Sequence, residues 1–137
     1  MQKISVDWRV YTCDIDYAGH VNNAIYIQWV EKGRCEFLDR VNFPISQAVA
    51  SGFIPILAHT SISYKRQAKL GDLVTLELWL SKLEKVSHIL EFRFLDFQLK
   101  VLAEGHQKGT FIDPITYRPK QLPPEIRELF LPYLHFD

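Results

Sequence analysis

Cysteine is scarce in this chain: Cys13 and Cys35 are the only two, too few for a disulfide framework and without the partner spacing of a zinc site. Neither is placed beside a base in the sequence, so both are read as packing residues and no metal site is expected. Excess charge is lacking as well. Lys and Arg total 16, Asp and Glu total 16, and the formal net charge is zero, which removes any bulk attraction to nucleic acid or to an anionic membrane. An anionic ligand therefore needs a local basic patch. No apolar run approaches the roughly 18 residues needed to span a bilayer, and the opening Met1-Gln2-Lys3-Ile4-Ser5-Val6-Asp7 lacks a signal-peptide core. The expectation is a cytoplasmic protein with neither a nucleic-acid nor a membrane partner. No repeat, low-complexity run or linker is visible.

What is present suffices for one core. The 137 residues, 47% hydrophobic and 13% aromatic, predict a single domain over residues 1–137. Val, Trp and Tyr in residues 4–13 predict a first strand. Over residues 24–40, Tyr26, Trp29, Val30, Gly33 and Phe37 fall on one stripe at helical period. Gly33 would let that helix approach a sheet closely, and Asn22 or Asn23 can cap its start. Residues 44–53 suit a short helix or a loop. Residues 54–66 alternate with period two, Ile56, Ala58, Thr60, Ile62 and Tyr64 on one face, and predict a long strand. Val74 to Leu80, Leu90 to Phe94, and residues 101–112 predict three more strands, the last reached by a turn near Phe97 to Lys100 that contains no glycine. Pro123 to Phe130 reads as a short terminal helix at an edge of the sheet. The result is an α+β class: an antiparallel five-stranded sheet on one long helix, with a short C-terminal helix.

The densest chemistry lies in Asp14-Ile15-Asp16-Tyr17-Ala18-Gly19-His20-Val21-Asn22-Asn23-Ala24-Ile25-Tyr26, which gathers acid, imidazole, amide and glycine in one turn between apolar segments. This D-x-D-x-x-G turn before a long helix resembles the signature of the hotdog-fold thioesterases, the 4-hydroxybenzoyl-CoA thioesterase-like family, and the likeness extends from about Val6 to Pro119. The His-Val-Asn-Asn end resembles the acyl-ACP thioesterase branch, D-x-N-x-H-V-N-N, but Ala18 stands where that branch has asparagine.

The resemblance implies a hotdog fold, association of two sheets edge to edge as a homodimer or homotetramer, and thioester hydrolysis without cofactor. It implies that Asp16 is the catalytic carboxylate, either a nucleophile or a base on water; a structural turn carboxylate is the competing assignment. Asp14 more plainly fixes the loop by bonding backbone N–H groups. His20 is either a general acid or base or a packed imidazole. Backbone N–H groups near Asn23 and Ala24, at the positive end of the helix dipole, can polarise the thioester carbonyl. Glu31, two turns into the helix, either orients water or is solvated on the outer face. Gly19 and Tyr26 belong to the substrate side, and Lys65, Arg66 and Lys69 are candidates for the CoA phosphates. Tyr26, Val30 and Ile56 are candidates to line an acyl groove beneath the helix.

The expected activity is acyl-CoA hydrolysis to free acid and CoA. The alternatives are an acyl-ACP thioesterase, a hotdog dehydratase, whose usual Asn-Pro is absent, and a non-catalytic acyl-binding protein.

Overall fold

In the computed structural model, which describes residues 2–135, the two periodicities of the sequence become one sheet and one long helix. Strand β1 (Ile4–Arg9) leads through a single 3-10 turn (Thr12–Asp14) and a loop into α1 (Asn23–Arg40); α2 (Ile45–Ala50) follows, then β2 (Ile54–Tyr64), β3 (Leu73–Leu83), β4 (Ser87–Leu95), β5 (Val101–Ile112) and α3 (Pro124–Phe130). The strands are all antiparallel in the order β1-β3-β4-β5-β2. No helix among the described residues is long and apolar enough to cross a membrane.

The predicted stripe of α1 is its buried face: Tyr26, Trp29, Val30, Gly33 and Phe37, joined by Leu38. It rests on the alternating buried positions of β3 and β4, namely Leu76, Leu78, Leu80, Leu90, Phe92 and Phe94. Gly33 is the point of closest approach. A Cβ there would stand 2.6 Å from Leu76 Cδ2 and 2.9 Å from Leu78 Cδ1, so any side chain would displace these leucines or lift the helix from the sheet. Near the start of α1, Trp29 stacks on Trp8 at 5.7 Å and Tyr26 meets Phe94 edge-on at 5.0 Å. At its far end Phe37 packs on Phe130 at 6.2 Å. The terminal helix thus closes the end of α1 and lies beside the end of β3, where Arg127 donates to the Leu83 and Glu84 carbonyls.

The opposite face of the sheet is charged, with Lys3 near Glu77 (3.9 Å), Arg93 near Glu104 (3.4 Å) and Lys65 near Glu104 (3.8 Å). Two details of the strands differ from the sequence reading. β1 stops at Arg9 because the chain turns away, held there by Val10 N–H to the Asp72 carbonyl and by Gly71 N–H to the Val10 carbonyl (both 2.9 Å). The alternation of β2 is interrupted by an irregularity between Leu57 and His59, which leaves Ile56, expected in the acyl groove, 40% exposed. The glycine-free turn into β5 works because Asp96 accepts from Gln98 N–H (2.8 Å) and Lys100 N–H (2.9 Å) while Leu99 takes a φ of +63°.

Candidate active site

The loop between β1 and α1 is built on two carboxylates. Asp14 accepts the Tyr11 N–H at 2.8 Å, and its own carbonyl accepts the Asn22 N–H at 2.9 Å, so it ties both ends of the loop together. Asp16 organises the tip: its Oδ1 accepts from Ala18 N–H (2.9 Å) and His20 N–H (3.4 Å). Its N–H donates to the His20 carbonyl (2.8 Å), and its carbonyl accepts from Gly19 N–H (3.0 Å). Gly19 sits at φ +78°, the left-handed conformation that closing so short a loop requires. The loop is anchored to the segment after β2 by Val21 N–H to the Ala68 carbonyl (2.9 Å) and by a bridge between His20 and Lys69.

This arrangement divides the work of one side chain. Oδ1 of Asp16 holds the loop, whereas Oδ2 makes no hydrogen bond among the described residues. Asp16 is half-buried and lines a cleft of about 520 Å³ with His20, Val21, Asn23, Tyr26, Tyr64, Lys65, Arg66 and Gln67. The link between Asp16 and His20 is through the backbone; the imidazole makes no hydrogen bond to the carboxylate.

The start of α1 supplies the donor. Asn22 caps the helix, its side chain accepting from Ala24 N–H at 2.9 Å. The Ala24 donor expected to face a ligand is therefore occupied by the cap. Asn23 N–H has no partner among the described residues, and it stands at the positive end of an 18-residue helix. Tyr64, at the end of β2, donates its hydroxyl to the Asn23 carbonyl at 3.1 Å and so fixes that first turn from the side. Tyr26 forms the floor; burial pushes its phenol up to about 12, only partly offset by a hydrogen bond with the Ala68 backbone. At neutral pH it is an apolar wall with a protonated tip, not a base.

The cleft brings together most of the residues singled out in the sequence: Asp16, His20, Asn23, Tyr26, Lys65 and Arg66. Lys65 is partly engaged by Glu104 at 3.8 Å. Glu31 is elsewhere, exposed on the outer side of α1 and bonded to Arg34 Nη1 at 3.1 Å, because its position lies off the buried stripe. Lys69 is exposed and does not line the cleft; its N–H donates to Asp72 at 2.9 Å. Cys13 is exposed beside Asp14 and Cys35 half-buried, so neither is the buried packing residue expected. Among the described residues no three His, Cys, Asp or Glu side chains form a metal-sized cluster. Sequence reasoning passed over Tyr64 and Gln67. Tyr64 was visible only as the last residue of a predicted strand, and Gln67 carried no signal.

A free carboxylate oxygen, a backbone donor at a helix N-terminus and two cations at one cleft suit attack on a carbonyl whose oxygen gains negative charge. Known proteins of similar sequence and structure identify the family. The chain is 30% identical over 115 residues to the long-chain acyl-CoA thioesterase FadM of Escherichia coli K12, covering 83% of this chain and 86% of that protein. It is 28% identical over 123 residues to the acyl-CoA thioesterase YbgC of Haemophilus influenzae, covering 89% and 90%. Among solved structures, a probable thioesterase from Bartonella henselae superposes with a TM-score of 0.81 at 27% identity, covering 89% of this chain and all of that one. The family model described as the thioesterase-like superfamily matches residues 10–130. The chain belongs to that superfamily and has its hotdog fold.

Proposed function

We propose that this protein is an acyl-CoA thioesterase, releasing a free acid and CoA without metal or cofactor. The observation that carries the reading is the unengaged Oδ2 of Asp16 in the same cleft as the unpartnered Asn23 N–H. The names of the FadM and YbgC relatives support CoA as the carrier. In the general-base route, Asp16 takes a proton from water as the water oxygen adds to the acyl carbon. The carbonyl oxygen becomes an oxyanion facing Asn23 N–H, the C–S bond breaks, and the CoA thiolate regains the proton. In the nucleophilic route, Oδ2 adds to the acyl carbon, thiolate leaves, and water cleaves the resulting anhydride. Lys65 and Arg66 at the mouth are suited to the CoA phosphates.

The same reading includes association. β2 is an 11-residue strand at the sheet edge with Ile56 and Leu57 exposed, and a long exposed edge is a template for pairing. Two copies joined through β2 form the proposed homodimer, and two such pairs a homotetramer. Light scattering at a mass of one 16.0 kDa chain would overturn this.

The activity test is thiol release from aromatic, short, medium and long acyl-CoA esters, with Asp16→Asn as control. Release by the wild type alone supports the reading and ranks acyl groups. Binding of acyl-CoA without release by either protein overturns it in favour of a binding role, and release from acyl-ACP alone reassigns the carrier.

A further inference from the structure

The loop that carries Asp16 leaves β1 after Arg9 and enters α1 at Asn23, and both of its limbs are held by one four-residue turn outside the cleft. That turn, Lys69-Leu70-Gly71-Asp72, precedes β3. On the outgoing limb, Val10 N–H donates to the Asp72 carbonyl and Gly71 N–H donates to the Val10 carbonyl, both at 2.9 Å. Arg9 adds a third bond, its Nη1 donating to the Gly71 carbonyl at 2.9 Å. On the returning limb, His20 is bridged to Lys69, and Val21 N–H donates at 2.9 Å to the carbonyl of Ala68, the residue before the turn.

One side chain shapes the turn. Asp72 Oδ2 accepts from Lys69 N–H at 2.9 Å, and Asp72 N–H donates to the Lys69 carbonyl at 3.0 Å, so Lys69 is gripped through the peptide groups on both its sides. Gly71, at φ +89°, lets the chain close between them. From Lys69 the path to the reacting group is short. Lys69 faces His20, the His20 carbonyl accepts from Asp16 N–H (2.8 Å), and His20 N–H donates to Asp16 Oδ1 (3.4 Å). The last bond is the longer of the two that orient the carboxylate, the other coming from Ala18 N–H at 2.9 Å. A bond already that long is lost with a small further displacement, so a shift of His20 frees the carboxyl group to rotate and re-aims Oδ2.

We propose that the 69–72 turn aims Asp16, with Asp72 and Arg9 as positioning residues: together they fix the turn, the turn fixes His20, and His20 sets the direction in which Oδ2 points into the cleft. This rests on the thioesterase reading. Asp72 and Arg9 are exposed and do not line the cleft, and exposed hydrogen bonds of this kind add little to global stability. Their effect falls on geometry instead, because a reacting group displaced by about 1 Å loses up to about 10²-fold in rate. The charge of Asp72 is a separate influence, since it reaches Tyr26 at the cleft floor, and substitution separates it from the hydrogen bond.

The test measures kcat, KM and melting temperature in wild type, Asp72→Ala, Asp72→Asn and Arg9→Met, with the acyl-CoA ester that wild type hydrolyses fastest. Asp72→Ala removes acceptor and charge, whereas Asp72→Asn keeps an oxygen for Lys69 N–H and removes the charge alone. The expected result in Asp72→Ala is a fall in kcat of about tenfold at nearly constant KM. Most of it is restored in Asp72→Asn, and both melting temperatures stay within about 5 °C of wild type. Arg9→Met, which loses only the bond to the Gly71 carbonyl, is expected to lower kcat by about two- to threefold. Wild-type kcat in Asp72→Ala overturns the proposal, and so does an equal loss in Asp72→Asn, which would assign the effect to charge. If Asp72→Ala does not fold, Arg9→Met decides, and wild-type kinetics there overturn the proposal. If wild type hydrolyses no ester, the thioesterase reading fails separately, and amide hydrogen exchange at Asp16 and Val21 still reads the turn's hold on the loop. Faster exchange at both in Asp72→Ala than in Asp72→Asn supports the role of the turn; equal exchange overturns it.

Discussion

The two ends of α1 lie on the same sheet and differ in almost everything else. At the N-terminal end, the loop from β1 holds Asp16, His20 and Asn23 around an open cleft of about 520 Å³, with Lys65 and Arg66 at its mouth. At the C-terminal end, the helix is sealed by Phe130 on Phe37 and by Phe43 against Phe53 and Phe111, and what remains is a cavity of about 30 Å³. Charge kept in contact with water can react with a diffusing ligand; aromatic surface removed from water holds the fold. The difference arises from what the chain brings to each end, a polar loop at one and an apolar tail at the other. It teaches that chemistry and stability are separable along a single helix.

The sharpest way to break this comparison is to change one residue at each end. Asp16→Asn keeps an acceptor oxygen for Ala18 and His20 N–H and removes the carboxylate. It is expected to lower thioester turnover by about 10²–10⁴-fold with little change in melting temperature. Phe37→Ala removes a ring packed against Phe130 and Tyr133 and is expected to destabilise by about 3–5 kcal/mol, while the molecules that remain folded keep their turnover. Thermal unfolding and thiol release measured on both variants check the division. Equal loss of stability in the two would show that Asp16 is chiefly a loop carboxylate.

The stability of the closed end should also respond to pH. His88 lines the apolar cavity, and burial, with the Arg34 guanidinium opposing a second positive charge, pushes its imidazole down to about 4. The folded pKa is therefore depressed below the ordinary 6.5. Between these two values the unfolded chain binds a proton that the folded protein does not, so stability falls as pH drops from about 6.5 to about 4. The loss is at most about 3 kcal/mol, and it is complete once both states are protonated. Denaturant unfolding at pH 7 and pH 5 should show this slope in wild type and a flatter one in His88→Asn. Parallel slopes would mean that His88 is reached by water.

Much of the fold was legible because it follows from periodicity. The stripe from Tyr26 to Phe37 and the alternation from Val74 to Phe94 are consequences of burying one face of a helix and one face of a sheet. The loop residues Asp14, Asp16 and Gly19 were legible because short loops demand them. What escaped depends on contacts distant in sequence or on competition for one donor. Tyr64 reaches Asn23 across 41 residues, and no local pattern announces such a contact. Ala24 N–H was a plausible oxyanion donor until the Asn22 side chain took it. Glu31 lies one position beyond the buried Val30, enough to turn it outward to Arg34. Gln107 stands among glycines in a strand with no clean alternation, and only the fold shows that it is buried.

The smallest effect tests how firmly the open end must be held. Tyr64 is 41% exposed, and its hydroxyl contributes one hydrogen bond to the Asn23 carbonyl. Removing it in Tyr64→Phe leaves the ring against Tyr26 at 5.6 Å, and a partly exposed bond of this kind is worth about 1 kcal/mol or less to stability. Its consequence for catalysis is different in kind. The peptide whose carbonyl Tyr64 holds is followed by the first turn of α1, and the Asn23 N–H on the other side of the same residue is the proposed oxyanion donor. A donor aimed at developing charge acts in the transition state and not on the bound ester, so loosening it lowers kcat and leaves KM nearly unchanged. A few-fold fall in kcat at constant KM, with a melting temperature close to wild type, would tie Tyr64 to the aim of Asn23. A rise in KM alone would assign Tyr64 to binding the acyl group, and no kinetic change at all would show that the helix cap from Asn22 holds the donor unaided.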